Sequence, residues 1–420
     1  MSVTQSELGT RLKKAREAVG LTQEGVADQM GLSRSAIAQV EAGNRSVSSM
    51  ELDRMANLYG REMRDFFAPD FGPENPLAGL FRRNEDIADD PSAMRALRHC
   101  VSLGRELTNL ERLVGLSRDP SSAVRYQVPT PRSRYDAIRQ GASTADQERR
   151  RLGIGESPVP DATELLEIQG VRTAIVDLPE DVSGLTLVDP EAGPFVAVNR
   201  REHLFRRNFS FAHEYAHVLL DCDAHGSISR GSDRAELHEV RANSFAASFL
   251  LPEGGVREVL ATLGKNAQTR LLAETPLDDE RAEGIEARGG STPPKIQMHD
   301  VILLARSFGV SRQVALYRLR NLRFLSDREL TELLKLEEAG HGRQLEKLLE
   351  LPEPDHRGER NRFQHRFLSL ALEAYRRESI SKSKLEELFS QILEKPRSHL
   401  ALDQFGVVTE EPPTSVSVPE

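Results

Sequence analysis

Apolar residues recur at helical spacing from the start of the chain. Leu8, Leu12 and Ala15 form one stripe, and Gly20, Gly31 and Gly43 punctuate the segments after it, so residues 6–67 read as a compact unit of short helices. Gly and Pro over 70–76 mark a linker. Leu97, Val101, Leu103, Leu107, Leu110 and Leu113 lay an apolar stripe along a helix over 91–117, and the prolines between 120 and 131 interrupt it. Helical character resumes over 135–152 and stops at Gly153. Two short β-branched runs, 172–176 and 195–198, read as strands. Long helices are expected over 203–220 and 234–251, the second ended by Pro252. Residues 264–297, rich in Gly, Thr, Glu, Arg and Pro, read as a flexible insertion. From 298 the chain is helical again, and the tail 401–420 is expected to be disordered.

A chain of 420 residues exceeds one ordinary core, so two or three domains are expected. At 38% hydrophobic and 29% charged, the composition suits a soluble globular protein. No apolar run is long enough to span a membrane, and Met1 to Ser6 lack the basic start and apolar run of a signal peptide. The only cysteines, Cys100 and Cys222, make no disulfide framework, which points to the cytoplasm. A net charge of −9 argues against wholesale coating of nucleic acid. Residues 1–68 balance nine Lys and Arg against nine Asp and Glu, so any DNA contact there must rest on motif and geometry.

The densest chemistry lies in Phe211-Ala212-His213-Glu214-Tyr215-Ala216-His217-Val218-Leu219-Leu220. Histidines at i and i+4 share one helix face, with Cβ atoms about 5–6 Å apart, so both imidazoles reach one zinc ion. Glu214 lies one step round the helix, placed to hold a water and take its proton as general base. The apolar neighbours imply a buried helix, and polar groups there need a partner that a metal supplies. A catalytic zinc wants a third protein ligand and an open position. Asp221, Glu236, His238 and Glu239 are the candidates. Glu239 continues, one turn earlier, the apolar face of Ala242, Phe245, Ala246 and Phe249, so the pattern favours it and leaves Glu236 as the alternative. Cys222 reads as an inert buried thiol or an inhibitory ligand, and His203, His225 and His238 are near the site in sequence only.

A second constellation lies near the N-terminus. Thr22 suits the N-cap of one short helix, Gly31-Leu32-Ser33 makes a turn, and 33–41 forms the next helix, with Ala27, Ile37 and Val40 as packing positions. Arg34, Ser35 and Gln39 are left on the outer side, where Arg matches guanine and Gln matches adenine. Gln23, Asn44 and Arg45 suit phosphate contacts, and Lys13, Lys14, Arg16 and Arg34 would have to cluster to make a basic surface. A similar helix-turn-helix pattern spans 300–319, where Arg312, Arg318, Arg320 and Arg323 form a solvated face or a further nucleic-acid contact.

Residues 8–66 closely resemble the Xre-type helix-turn-helix family. The run Arg207 to His217, followed by 239–252, resembles the ImmA/IrrE metallopeptidases, with the likeness extending over roughly 149–390. That resemblance implies zinc ligation by His213, His217 and Glu239 and catalysis by Glu214. It implies a zinc endopeptidase, gluzincin-like, of the kind that cuts Xre-type repressors under stress. Tyr215 and Ala216 stand where the family usually has Leu and Gly, which leaves the chemistry intact. Transition-state stabilisation by a Tyr or His is common in such enzymes, and Tyr215 is adjacent to the site in sequence.

The expected architecture is α+β and mainly helical. It comprises an all-α helix-turn-helix domain (1–69), a linker with a helical segment (70–148), a zincin-like core (149–263), the insertion (264–297) and a helical C-terminal part of the peptidase region (298–400). Expected partners are double-stranded operator DNA bound as a homodimer, a protein substrate (a regulator, a toxin or the chain itself), and single-stranded DNA as an activator, with no membrane. The alternative is a transcription factor or antitoxin whose zincin domain only senses a ligand or binds a partner, with Leu368, Leu370, Leu372, Tyr375 and Leu385 as its surface or simply as core.

Overall fold

The computed structural model describes residues 3–61, 63–68, 71–72, 91–116, 124–159, 161–189, 193–221, 226–265, 295–351 and 362–392. Most of the expected insertion and the whole expected tail lie outside them, as do Cys222 and His225.

The N-terminal unit contains α1 (Gln5–Ala18), α2 (Gln23–Met30), α3 (Arg34–Glu41), α4 (Ser49–Leu58) and a 3-10 turn at Met63–Phe67. Thr4, Thr22 and Ser33 cap the first three helices through their hydroxyls, each accepting a backbone N–H. Gly31 (φ 68°) turns the chain between α2 and α3 in the left-handed region. Gly9 lets α1 lie against the end of α3, because a Cβ there would come within 2.4 Å of the Val40 carbonyl oxygen. Leu12, Val26, Ile37, Val40, Tyr59 and Phe66 fill the space between these helices.

The long helix α5 (Pro91–Leu113) buries Leu103, Leu107 and Leu110. Leu113, expected on that stripe, is 36% exposed, and Val114 beyond the helix end is buried instead. The C-terminal helices α15 (Arg362–Arg376) and α16 (Lys382–Ile392) share a core with α5 and the N-terminal unit. Leu370 and Leu385 are buried in that core, and Leu368, Leu372 and Tyr375 pack against it, so these residues are core and not a free surface. Two buried carboxylates tie the elements together. Glu106 receives Arg64 at 3.1 Å and Lys384 at 3.2 Å, and Glu111 receives Arg172 and Arg366, each at 2.8 Å.

The sheet has four strands in the order β1 (Arg172–Val176), β3 (Gly193–Asn199), β2 (Val182–Asp189), β4 (Gly226–Arg230). β1 runs parallel to β3, and β2 is antiparallel to both β3 and β4. Alternation divides β3 between two cores, as a period of two requires. Phe195 and Ala197 join the core built on α5, whereas Val196 and Val198 face the other way, into a second core. That second core holds α6 (Arg134–Leu152), α7 (Ala162–Ile168), α8 (Leu204–Leu220), α9 (Leu237–Leu250), α11 (Met298–Ser307), α12 (Arg312–Asn321), α13 (Asp327–Glu338) and α14 (His341–Leu348).

α6 lies flat against α9, and Gly141 is the reason. A Cβ at that position would come within 2.3 Å of the Arg241 carbonyl oxygen. The expected start of the zincin core, at 149, therefore falls inside a helix that packs as one piece. Its end is pinned there by Arg149, which donates to the carbonyls of Phe249, Gly155 and Ser157. Beyond α9, Glu156 accepts from Gly255 N at 3.0 Å and so caps α10 (Glu253–Thr262).

Candidate metal centre

α8 presents His213 and His217 one turn apart, and the first turn of α9 brings Glu239 up to both. His213 Nε2 is 3.1 Å from Glu239 Oε2, His217 Nε2 is 3.3 Å from Glu239 Oε1, and the two Nε2 atoms are 3.2 Å apart. One ligand atom from each lies within 4.8 Å of the others, and all three residues are buried. Glu236 is exposed and bonds His238 at 3.1 Å, outside this convergence. Of the two glutamates the sequence left open, Glu239 is the one in position.

The outer ring nitrogens are held as well. His213 Nδ1 is 3.2 Å from Asn243 Oδ1, and His217 Nδ1 is 2.7 Å from Asp221 Oδ2. Asp221 is fixed in turn by Arg241, which also donates to Gln140 at 3.2 Å. Asp221 is thus not a third ligand but the anchor of the second histidine. Such contacts set which nitrogen faces a metal. Sequence spacing offered Asp221 at i+4 from His217 but gave no hint of Asn243, which sits at i+4 from Glu239.

The electrostatics fit a cation. Burial opposes charge on His217, yet hydrogen bonds to Asp221 and Glu239 and the nearby Glu214 raise its pKa to about 10. Burial likewise works against the Glu239 carboxylate, and the two histidines hold it well below its ordinary range. A site this hungry for positive charge, with two imidazoles and a carboxylate converging, matches the nitrogen and oxygen donor set of zinc.

Glu214 is wholly buried on the adjoining face of α8. Its Oε2 accepts from the Thr186 hydroxyl at 2.7 Å. Its Oε1 has no hydrogen-bond partner of normal geometry, and neither has the Ser229 hydroxyl. Burial raises its pKa, against the opposing pull of His217, His213, Ser229 and Thr186. The carboxylate fits beneath β2 only because residue 184 is glycine, where a Cβ would meet Glu214 Oε1 at 2.8 Å. Both β2 and β4 were missed as strands. Leu185, Leu187 and Ile228 face one core, while the positions on the opposite face, Gly184, Thr186 and Ser229, are small or polar and serve this carboxylate.

Residues 7–65 match the family model described as a helix-turn-helix domain, and residues 166–277 match the one described as an IrrE N-terminal-like domain. The chain fuses a helix-turn-helix domain to an ImmA/IrrE-type peptidase domain. No curated protein matches it.

In the peptidase domain a cleft of about 770 Å³ opens over His213 and Glu239. Ser183, Ser210 and Ser229 lie on the side of the sheet and α8, and Val310, Val314 and Tyr317 come from the turn after α11 and the helix that follows it. Tyr215, adjacent in sequence, is turned away from the cleft. Its hydroxyl donates to Glu148 Oε1 at 2.5 Å in the core, and burial raises its pKa. Tyr215, which the sequence leaves unassigned, is thus placed in the core and not at the cleft. His203 reaches the cleft lining and is exposed.

In the helix-turn-helix domain Arg34, Ser35, Gln39 and Asn44 are exposed, on and just after α3. Gln23 is half-buried and donates to Glu41 at 2.8 Å, and Arg45 pairs with Glu51 at 2.6 Å. Arg16 is buried in a pair with Glu41 at 2.6 Å, so it cannot join a basic surface with Lys13, Lys14 and Arg34. The second helix-turn-helix pattern forms α11 and α12 (Arg312–Asn321); two of its four cations are engaged inside the protein, Arg320 makes a surface pair, and Arg323 is exposed. Arg312 pairs with Glu337 and Glu346, Arg318 donates to the Leu251 carbonyl, and Arg320 pairs with Asp327.

Proposed function

We propose that the chain is a cytoplasmic regulator that binds operator DNA as a homodimer, acting as a repressor, and carries a zinc endopeptidase that ends or relays that state in a stress or defence response. The peptidase cuts a partner regulator, a toxin or the chain itself. One observation carries the reading: His213, His217 and Glu239 converge within 4.8 Å beside a buried Glu214 that has a free oxygen.

Held by those three residues, zinc would polarise a peptide carbonyl and acidify a water. Asn243 and Asp221 keep both Nε2 atoms turned inward, so the ligands are oriented before anything binds. Thr186 fixes one oxygen of Glu214 and leaves Oε1 to take a proton and pass it to the leaving amine. Burial raises the pKa of that carboxylate, which suits a group that must both accept and return a proton. On the DNA side, Arg34, Ser35 and Gln39 read base edges, while Gln23, Asn44 and Arg45 hold phosphates. The domain division that accompanies this proposal keeps 1–69 for DNA and starts the peptidase unit at α6, residue 134, rather than at 149.

The test compares the full chain with Glu214→Ala. Bound metal is measured, and both are incubated with the proteins of the native operon, with and without single-stranded DNA. Zinc in both, with cleavage reduced by about 10²–10⁴-fold in the variant, is the expected result. Zinc in both and cleavage in neither, with the operator still bound, would replace the endopeptidase by a zinc-stabilised sensor.

A further inference from the structure

The cleft over the metal centre is cationic, although the chain as a whole carries a charge of −9. Six arginines line it, Arg134, Arg206, Arg230, Arg306, Arg312 and Arg343, against only three glutamates, Glu239, Glu337 and Glu346. All three glutamates are spoken for. Glu239 belongs to the histidine cluster, Glu337 pairs with Arg312, and Glu346 pairs with Arg312 and Arg306. Arg206 is engaged by Glu202 at 2.8 Å on its own helix. Arg134 and Arg343 are exposed, and among the described residues neither has an ion pair or hydrogen bond. They come from different elements, the first turn of α6 and the helix α14, and meet only across this cleft.

We infer that the cleft selects an acidic peptide, one whose Asp or Glu side chains flank the reacting bond and pair with Arg134 and Arg343. The inference rests on the endopeptidase reading and names the substrate class for that same site. Phe209, Val310 and Val314 add apolar lining to the same cleft, which suits the uncharged residues of such a peptide. A nucleic-acid strand is the poorer fit. Its regularly spaced phosphates call for a continuous cationic track, and the other four arginines of the lining are paired with carboxylates, Arg230 with Asp181 at 4.0 Å. Two separate unpaired cations suit two separate carboxylates, and Arg can hold each of them with two parallel N–H donors.

The test is fluorescence anisotropy on the zinc-loaded full chain, which reads binding independently of cleavage. One dye-labelled peptide has an apolar centre flanked by Asp and Glu, a second has the same centre flanked by Lys, and oligothymidine is a third probe. The acidic peptide is expected to bind about tenfold tighter than the basic one, with the preference shrinking as salt rises. Arg134→Ala and Arg343→Ala should each weaken it by about two- to fivefold, and charge reversal at both should invert the preference. Both side chains are exposed, so folding is not at stake, and unchanged melting curves check this. Equal binding of the two peptides, or an acidic preference indifferent to both substitutions, overturns the inference. Oligothymidine binding that exceeds the acidic peptide and falls in the same two variants also overturns it, making the cleft a nucleic-acid groove. An acidic peptide that binds as expected but is never cut upholds the inference and counts against the endopeptidase instead.

Discussion

Glu148 and Glu214 are both wholly buried, and both are in contact with helix α8 or part of it, yet their surroundings differ in kind. Glu148 is saturated. Tyr215 donates to one oxygen and Tyr126 to the other, at 2.5 and 2.7 Å, and Arg151 reaches both, at 2.6 and 2.8 Å. Burial opposes its charge, but these donors win and hold its pKa below the ordinary value. Tyr126, partly buried and bonded to that carboxylate, is pushed up to about 12. Glu214 has one hydrogen bond of normal geometry to a hydroxyl, from Thr186, with Ser229 nearby, and its pKa goes the other way. Buried polar groups are nearly always satisfied, so a buried carboxylate with a free oxygen needs a reason. Glu106 also has a buried oxygen without a partner yet ties helices together, so what sets Glu214 apart is an unbonded oxygen beside the histidine cluster together with a raised pKa.

The sharpest way to break the contrast is to remove each charge with the smallest change of shape. Glu148→Gln leaves Arg151 with Gln169 but no carboxylate partner and weakens two tyrosine hydrogen bonds, so a loss of about 2–3 kcal/mol of stability is expected. Glu214→Gln removes a poorly solvated charge, and stability should stay within about 1 kcal/mol of wild type or rise. Chemical denaturation of the three chains measures both. Equal losses would mean that Glu214 is a structural carboxylate like its neighbour.

The same distinction between engaged and available groups separates the two helix-turn-helix patterns. Arg34 is exposed after Ser33 caps its helix, whereas Arg312 is held by two glutamates. Arg34→Ala should cost about 1–3 kcal/mol of operator affinity in a gel-shift titration and leave the melting temperature unchanged. Arg312→Ala should do the reverse, with operator affinity intact. A loss of operator binding on replacing Arg312 would restore the nucleic-acid role that its pairing argues against.

What the sequence revealed tracks how local each feature is. The helix carrying His213 and His217 follows from i, i+4 spacing within one segment, and Glu239 followed from the apolar face it extends. Both are one-element arguments. Tyr215 could not be assigned from its adjacency in sequence, because it lies on another face of the helix and points toward Glu148, which is 67 positions away. The role of Gly184 and the strands around it were illegible for a related reason. A glycine and two hydroxyl residues weaken strand patterning, and only the carboxylate of a distant helix explains them. The C-terminal helices show the same limit, since their amphipathic faces were plain but not that they cover α5 and the outer sheet.

Acid titration refines the comparison with a smaller effect. Glu148 has a folded pKa below its ordinary 4.5, so its stabilisation is complete above about pH 4.5 and is lost as pH falls through the lower folded value. Glu214 has a raised folded pKa, so the folded protein binds the proton more tightly than the unfolded chain. Its contribution is therefore lost in the opposite direction, as pH rises from 4.5 through the raised value. Unfolding free energies measured against pH in the presence of a chelator keep zinc release out of the curves. Subtracting the Glu148→Gln curve from wild type should leave a difference that disappears at the acid end. The Glu214→Gln subtraction should leave one that grows toward neutrality with the opposite sign, the variant being the more stable. Two difference curves of the same sign would show that burial acts alike on both carboxylates, and the distinction between them would have to be abandoned.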